Sequence, residues 1–309
     1  MKTVLIQPDV KGVNEFHSIL SNDLIGYNIV TSVSDVNLSD IHVVIIWLSV
    51  PDFLIKLPNL KLILSCGSGV NHIINSSNLP HKIPLIRLVD PYLRNRVADY
   101  VVEQILNKFY PTLNLRKLQM DASNVFDIIR KEKLIIGIMG LGLIGSTIAE
   151  KLKNLGFEVA GWVKTSKNRI IKDVYIGEDE KVELVKKSNI LVCQLPLTRE
   201  TKGILNINLF NHLPDGAFLI NVGRGDHLIE SDLLKALEMG KLSGACLDVL
   251  EKEPLPENHP FHKQPNIKIT PHIAGYIGPE TQAPYASKVI MGFFKNEKLK
   301  GKVDYNSLY

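Results

Sequence analysis

Three polar residues carry chemistry by their type and setting in this chain of 309 residues: Arg224 between two glycines in NVGRGDHL, Glu253 ahead of a proline in DVLEKEPLP, and His272 behind a proline in ITPHIAG. An arginine offers a planar fork that matches the two oxygens of a carboxylate. A histidine can hold and deliver a proton near neutral pH. A glutamate hydrogen-bonded to the ring would fix its orientation and favour the imidazolium. The three together suit reduction of a ketone or aldehyde that sits beside a carboxylate. Hydride goes to the carbon, His272 supplies a proton to the oxygen, and Arg224 binds the acid and steadies the charge that develops on that oxygen. Each residue also has a plainer reading. Glu253 can be a surface acid, His272 a satisfied strand-end histidine and Arg224 a turn residue. The chemical reading needs all three at strand ends of one sheet, and it needs a hydride donor.

The stretch GIMGLGLIGSTIAE at 137–150 supplies a candidate site for that donor. Gly140, Gly142 and Gly145 make the pattern G-x-G-x-x-G, which is weak evidence by itself. Its setting strengthens it. The apolar run LIIGIMG (134–140) precedes it as a strand. STIAEKLKNLGF follows as a helix, and Ile144 just before it forms one apolar stripe with Ile148, Leu152 and Leu155. Strand, glycine turn, helix and strand within about thirty residues form a βαβ unit. Gly140 permits the tight turn, Gly142 lets backbone approach a pyrophosphate, and Gly145 lets helix and strand pack closely. The helix N-terminus offers free N–H groups to the phosphates.

The end of the next strand discriminates between dinucleotides. An acid there binds a ribose 2′-hydroxyl, whereas basic residues accept a 2′-phosphate. The strand ends GWVKTSKNR, with Val163 where an acid is expected and Lys164, Thr165, Lys167 and Arg169 following. The loop contains no carboxylate and three cations, so NADP is expected over NAD, with NAD possible. A solvated basic loop is the plainer alternative.

Stepping out from these residues, short β-branched runs alternate with helical patterns along the whole chain. TVLIQ (3–7), HVVII (42–46) and LKLILSC (60–66) read as a first series of buried strands. LIIGIMG (134–140), FEVAGWV (157–163), ILVCQLP (190–196), FLINVG (218–223), GACLDV (244–249) and IKITPH (267–272) read as a second. Two such series predict two α/β domains with doubly wound parallel sheets. The helix in RNRVADYVVEQILNKFY (94–110), with Val97, Val101, Ile105 and Phe109 at helical spacing, leads from the first to the second. A late helix, ASKVIMGFFKNEKL, can return to the first, which makes that domain discontinuous. The expected boundaries are 1–97 with 277–309 for the substrate domain and 98–276 for the dinucleotide-binding domain.

Composition narrows the classes. Hydrophobic residues are 45% and charged residues 22%, ordinary for a soluble protein, and a net charge of +4 without a Lys/Arg block argues against nucleic acid. The longest apolar run, VVIIWL at 43–48, is far too short to span a bilayer. The opening MKTVLIQPDV is unlike a signal peptide. Cys66, Cys193 and Cys246 are scattered and odd in number, which fits buried thiols in a reducing cytoplasm and offers no disulfide framework or metal-ligand spacing.

The segments GIMGLGLIGSTIAEKL, LPLTRETKGILN, LPDGAFLINVGRGDHLIESDLLKALEMGKLSGACLDVLEKEPLP and ITPHIAG, in this order, resemble the D-isomer-specific 2-hydroxyacid dehydrogenase family over nearly the whole chain. IPLIRLVDPYLRNRVADYVVEQIL, the basic GWVKTSKN and the C-terminal GKVDYNSLY are similar to its glyoxylate/hydroxypyruvate reductase A branch. The resemblance implies a Rossmann NAD(P)-binding domain inserted into a flavodoxin-like substrate domain. It implies Arg224, Glu253 and His272 as the catalytic set. It places the Leu143 and Ile144 amides on the pyrophosphate, and Leu195, Pro196, Val222, Gly223 and Asp248 along the nicotinamide half, Asp248 near the carboxamide. It implies a substrate-carboxylate loop in SCGSGVNHI, where Ser68, Gly69 and Val70 present backbone N–H groups; a glycine-flanked turn can form such an anion nest. Trp47 would wall the pocket, a core tryptophan being the alternative. A two-fold homodimer is the family expectation.

Two departures bear on the branch. Asn71 stands where the family often has Asp, and the chain ends Leu-Tyr rather than Gly-Tyr. Other 2-hydroxy acids (D-lactate, a longer acid or phosphoglycerate, given Arg87, Arg94 and Arg96 nearby) remain alternatives. So does a dinucleotide-sensing regulator without catalysis, which would have no need of a proton donor.

Overall fold

The computed structural model describes residues 1–67, 69–89, 91–109, 134–165 and 171–305. The chain divides into two compact units, Met1–Pro91 with Ile277–Tyr309, and Tyr92–Tyr276. The expected boundary after residue 97 therefore moves back to Pro91. The reason is visible in the linking helix, whose inward face (Val97, Ala98, Val101 and Ile105) is buried with Ile136 and Ile138 of the second unit.

The first unit holds a five-stranded parallel sheet in the order β2-β1-β3-β4-β5. Its strands are β1 (Lys2–Ile6), β2 (Tyr27–Val30), β3 (Ile41–Ile46), β4 (Leu62–Ser65) and β5 (Leu85–Arg87). This is the flavodoxin-like order, with its switch point between β1 and β3. Helices α1 (Val13–Asp23) and α2 (Asn71–Ile74) belong to this unit. Burial follows the strand period of two. Val4, Ile6, Val43 and Ile45 face one layer, which also holds Phe16 and Leu20 of α1. Leu5, Ile41, Val44 and Ile46 face the other. The short strands β2 and β5 escaped the sequence reading because four and three residues are too few to show a period.

The second unit begins with α3 (Pro91–Phe109) and holds a seven-stranded sheet, β12-β11-β10-β9-β6-β7-β8. Every pairing in it is parallel. Its strands are β6 (Ile135–Met139), β7 (Glu158–Val163), β8 (Asp173–Ile176), β9 (Ile190–Cys193), β10 (Ala217–Asn221), β11 (Leu242–Leu247) and β12 (Ile267–Ile269). Helices α4 (Leu143–Asn154), α5 (Gly177–Lys187), α6 (Ile207–His212) and α7 (Glu230–Glu238) connect them. Counted from β6, the order is 3-2-1-4-5-6 with a seventh strand added, the doubly wound dinucleotide-binding topology. The chain reverses direction across the sheet between β6 and β9, and ligands of such sheets bind at the carboxyl ends of the strands there. Strand β8 was missed in the sequence because none of its residues is fully buried. Leu155 also departs from expectation: it caps α4 and is exposed, so the apolar face of the helix ends at Leu152.

The last helix, α8 (Pro279–Phe294), starts earlier than the sequence pattern suggested and ends at Phe294, before the polar KNEKL. Gly278 precedes it and Pro279 opens its first turn, where a missing N–H costs nothing. It packs against α1 and buries Ala283, Ala286, Val289 and Ile290 in the layer that holds Phe16 and Leu20. The C-terminal segment is thus part of the first core. Ile290→Ala, at a fully buried site, is expected to cost about 2–5 kcal/mol in a urea-unfolding measurement. Unchanged stability would show that α8 does not complete that core.

Candidate active site

The glycine turn lies between β6 and α4, at the reversal of the second sheet. Gly140 has φ +100°, and a Cβ there would lie 2.6 Å from the Gln194 carbonyl oxygen. A Cβ on Gly145 would lie 1.8 Å from the Gly140 carbonyl oxygen, so helix and turn touch backbone to backbone. Nothing lies within 4 Å of the place a Gly142 Cβ would take. That open space adjoins the first turn of α4, which has no side-chain cap and no acidic residue. The positive end of the helix dipole meets no acidic residue of its own first turn. The Gln194 Oε1 atom, one residue past β9, is buried without a partner among the described residues. The open cradle and the uncapped amides fit a dinucleotide pyrophosphate, whose oxygens only accept.

At the end of β7, Val163 is half-buried, while Lys164 and Thr165 are exposed. Lys164 Nζ lies 2.6 Å from Glu200 Oε2, so the carboxylate that its own loop lacks comes from the segment after β9. Lys167 lies outside the described residues. Leu195 and Val222 are buried at the ends of β9 and β10, and the Val222 amide donates to the Cys193 carbonyl.

Arg224 follows β10. Its Nη1 donates to the Gly223 carbonyl at 2.6 Å. The next residue explains the loop's path: a Cβ on Gly225 would lie 1.9 Å from the carbonyl carbon of Leu250. Only glycine lets the arginine loop lie against the segment that leads to Glu253. Glu253 Oε1 accepts the Leu250 amide at 3.0 Å, and Oε2 pairs with His272 Nδ1 at 2.9 Å. Burial alone would raise this carboxyl. The His272 hydrogen bond, the Leu250 amide and the charges of His272 and Arg224 outweigh burial and hold it below the ordinary 4.5. An ionised Glu253 only accepts, so Nδ1 of His272 carries the hydrogen and the ring presents Nε2 away from the pair.

His272 has φ +53°, the left-handed region that non-glycine residues seldom adopt. Asp248 holds it there. This carboxylate, at the end of β11, is 2% exposed. It accepts the Thr270 hydroxyl at 2.6 Å and the Ile273 and Ala274 amides at 2.9 Å each. The Tyr100 hydroxyl is 2.6 Å from Thr270 Oγ1 and 3.1 Å from Cys246 Sγ. Because Thr270 spends its hydrogen on Asp248, Tyr100 must donate to Thr270, and the Cys246 thiol faces the remaining lone pairs of the phenol oxygen. Burial pushes the Cys246 thiol up to about 11 and raises the Tyr100 phenol, so both keep their protons. Asp248 therefore anchors the histidine turn, a role that the sequence reading, which set it beside a carboxamide, did not include.

In the first unit, Trp47 is half-buried just past β3. Its carbonyl pairs with His72 Nε2 at 2.8 Å, and Lys11 Nζ lies 4.8 Å over its ring. Asp9 Oδ2 accepts the Leu48 and Ser49 amides at 2.9 and 2.8 Å. Trp47 is thus held in a clamped loop while its half-buried side chain packs against the first unit's core. Val70 is buried and its carbonyl accepts the Ile73 and Ile74 amides of α2; Gly69 precedes it, and Ser68 lies outside the described residues.

The second unit brings Arg224, Glu253, His272 and the glycine turn to the carboxyl edge of one sheet, as the sequence pattern required. Sequence reasoning missed Gln194, Asn221, His227, Tyr100 and Thr270. The one available signal was a polar residue closing an apolar strand, as in FLIN.

Comparison with known proteins agrees with this fold. Residues 111–274 match the family model described as D-isomer specific 2-hydroxyacid dehydrogenase, NAD binding domain. Over 251 residues, 79% of this chain and 80% of the relative, the sequence is 38% identical to glyoxylate/hydroxypyruvate reductase A of Escherichia fergusonii. A D-isomer specific 2-hydroxyacid dehydrogenase of Xanthobacter autotrophicus, solved with NADPH and MES, superposes with a TM-score of 0.89 at 29% identity, over 100% of this chain and 99% of that one. The NADPH-dependent glyoxylate/hydroxypyruvate reductase of Sinorhizobium meliloti, solved with NADP and sulfate, superposes at 0.87 with 30% identity over the whole of both chains.

The lowered Glu253 value sets a pH dependence. A carboxyl whose folded value lies below its unfolded one stabilises the fold above the unfolded value, and that stability is lost as pH falls through the folded value. The melting temperature of Glu253→Gln should therefore fall furthest below that of the unaltered protein above pH 4.5. The gap should close in more acid solution. A gap that widened on acidification would contradict the pairing.

Proposed function

The chain belongs to the D-isomer specific 2-hydroxyacid dehydrogenase family, and from that premise we propose that it reduces a small 2-oxo acid, glyoxylate or hydroxypyruvate, to the 2-hydroxy acid at the expense of NADPH. The observation that carries the reading is the His272–Glu253 pair at 2.9 Å, with the arginine loop packed through Gly225 on the Leu250 segment that leads to Glu253. The reductase relatives and the NADPH-bound neighbours support the choice of substrate and cofactor.

The dinucleotide supplies the hydride. Gly140, Gly142 and Gly145 with the Leu143 and Ile144 amides would hold its pyrophosphate, and Lys164, Thr165 and Lys167 its 2′-phosphate. Leu195, Pro196, Val222 and Gly223 would line its nicotinamide half. Arg224 binds the substrate carboxylate and carbonyl oxygen through a fork whose hydrogen bonds strengthen as charge builds on that oxygen. His272 gives the proton of Nε2 to the same oxygen, while Glu253 keeps the Nδ1 hydrogen in place and stabilises the ring in its charged form. Ser68, Gly69 and Val70 are assigned to the substrate carboxylate and Trp47 to the pocket wall. The reading also assigns a cytoplasmic homodimer. Among the described residues no helix is long and apolar enough to cross a membrane.

Initial rates with glyoxylate, hydroxypyruvate, pyruvate and a bulky 2-oxo acid, each with NADPH and NADH, test the reading. Fast NADPH turnover of the first two is expected, and His272→Gln should lower kcat by about 10²–10⁴. Turnover of the bulky acid alone would refute the substrate, and an unimpaired His272→Gln would refute the proton donor.

The Lys164–Glu200 pair yields a second test. Lys164→Ala should raise the Kd for NADPH severalfold and leave that for NADH unchanged, and Glu200→Gln should lower the NADPH Kd, both read by nicotinamide fluorescence. Equal effects on the two cofactors would remove Lys164 from the 2′-phosphate site.

A further inference from the structure

One fully buried ionisable side chain borders the site and has no part in the chemistry above. His227 lies three residues past Arg224 and is 0% exposed. The Arg224 amide donates to its Nδ1 at 3.0 Å, and its Nε2 lies 3.2 Å from the Pro196 carbonyl oxygen. Both partners are main-chain groups with fixed roles. An amide can only donate and a carbonyl can only accept. The ring is therefore neutral, with Nδ1 bare and the hydrogen on Nε2.

The surroundings leave the ring no alternative position. A Cβ on Gly223 would lie 2.9 Å from Nδ1 and 3.0 Å from Cε1, so the imidazole is pressed on that glycine. The His227 carbonyl accepts the Leu205 amide at 2.8 Å. Asn221, also 0% exposed, holds the other end of Arg224: its Nδ2 donates to the Arg224 carbonyl at 3.0 Å, and its Oδ1 accepts the Gly223 amide. Both main-chain groups of Arg224 thus end on buried side chains.

We infer that His227 is a positioning residue, a rigid brace that ties the Arg224 loop after β10 to the Pro196 loop after β9 and so sets the substrate clamp and the nicotinamide wall in register. The inference rests on the reading of Arg224 as the carboxylate clamp. The bracing needs a neutral ring, and burial lowers its pKa from 6.5. The Arg224 charge acts in the same direction, against Asp226, which is itself paired with Lys202 at 3.1 Å, and against the Pro196 carbonyl.

Two substitutions separate the two bonds. His227→Asn places an amide oxygen near the Nδ1 position and can still accept from Arg224, but it cannot reach Pro196. His227→Gln reaches the Nε2 position and can still donate to Pro196, but it leaves the Arg224 amide unpaired. We expect His227→Gln to lose tenfold or more in kcat/KM for glyoxylate with the Kd for NADPH within twofold of the unaltered protein. We expect His227→Asn to keep kcat/KM within threefold at saturating NADPH while the NADPH Kd rises severalfold. Equal losses in every constant would reduce His227 to a core residue and overturn the inference.

Arg224→Ala is the control. If it keeps full kcat/KM, the clamp reading fails; if it collapses while His227→Gln does not, only the brace fails. Histidine-selective ¹⁵N labelling of the unaltered protein decides the case even if the variants do not fold. The His227 ring should show Nε2 protonated and Nδ1 bare throughout pH 6–8, and the opposite tautomer would overturn the inference.

Discussion

The edge of the second unit that carries the candidate site depends on one buried carboxylate. Asp248 is almost wholly removed from water and accepts three donors from Thr270, Ile273 and Ala274. A buried charge stripped of its partners costs about 3–5 kcal/mol, which exceeds the roughly 1–3 kcal/mol that a non-glycine residue loses in the left-handed region. The comparison decides the local structure. The turn closes on Asp248, and His272, caught between Thr270 and Ile273, takes the positive φ. Its ring is then presented to Glu253, and the remainder of the pair follows from hydrogen-bond roles alone. The Tyr100 hydroxyl extends the same logic back to α3, since its donation to Thr270 is what leaves the Thr270 hydrogen for the carboxylate.

The arginine loop is built by the same means on the neighbouring strand. Its main-chain groups end on fully buried Asn221 and His227, and the loop reaches Leu250 only because Gly225 has no side chain. Unsatisfied buried polar groups cost about 1–3 kcal/mol each, so each such bond restricts where the loop can lie. Loops after parallel strands are otherwise free to wander. Here buried acceptors and close backbone contacts turn three of them, after β10, β11 and β12, into a fixed frame for Arg224, Glu253 and His272.

How much of this was legible in the sequence follows from the kind of signal each part leaves. The second sheet was readable because its central strands are buried on both faces and appear as unbroken apolar runs. Edge strand β8, with no fully buried residue, and the short β2 and β5 leave no such run. The glycine turn and the trio were readable because their chemistry demands particular residue types at strand ends. The supports were not. Tyr100 meets Thr270 across 170 residues, and His227 meets Pro196 across 31. A long-range hydrogen bond leaves no period in the chain, and a lone tyrosine on an apolar helix face reads as core. Leu155 failed for a local reason, because the helix ends there and the stripe could not continue.

In the proposed reading, weak surface charge at the basic loop decides a choice of ligand. Lys164 and Glu200 are both well exposed, at 61% and 67% of their side-chain surface. A pair so placed is worth about 0–1 kcal/mol, so exchanging the Glu200 carboxylate for a ligand phosphate requires little. A 2′-phosphate presents more charge and three acceptor oxygens to the same ammonium group. A ribose 2′-hydroxyl presents neither, and no carboxylate within the loop is available to receive its hydrogen. Glu200 then acts in opposite senses on the two cofactors. It would compete with the phosphate for Lys164, yet it is an acid beside that lysine to which a hydroxyl could donate. On the proposed reading, a preference for NADPH would rest on the whole loop's lack of its own acid as much as on any one lysine, and the Glu200 pair would set how steep that preference is.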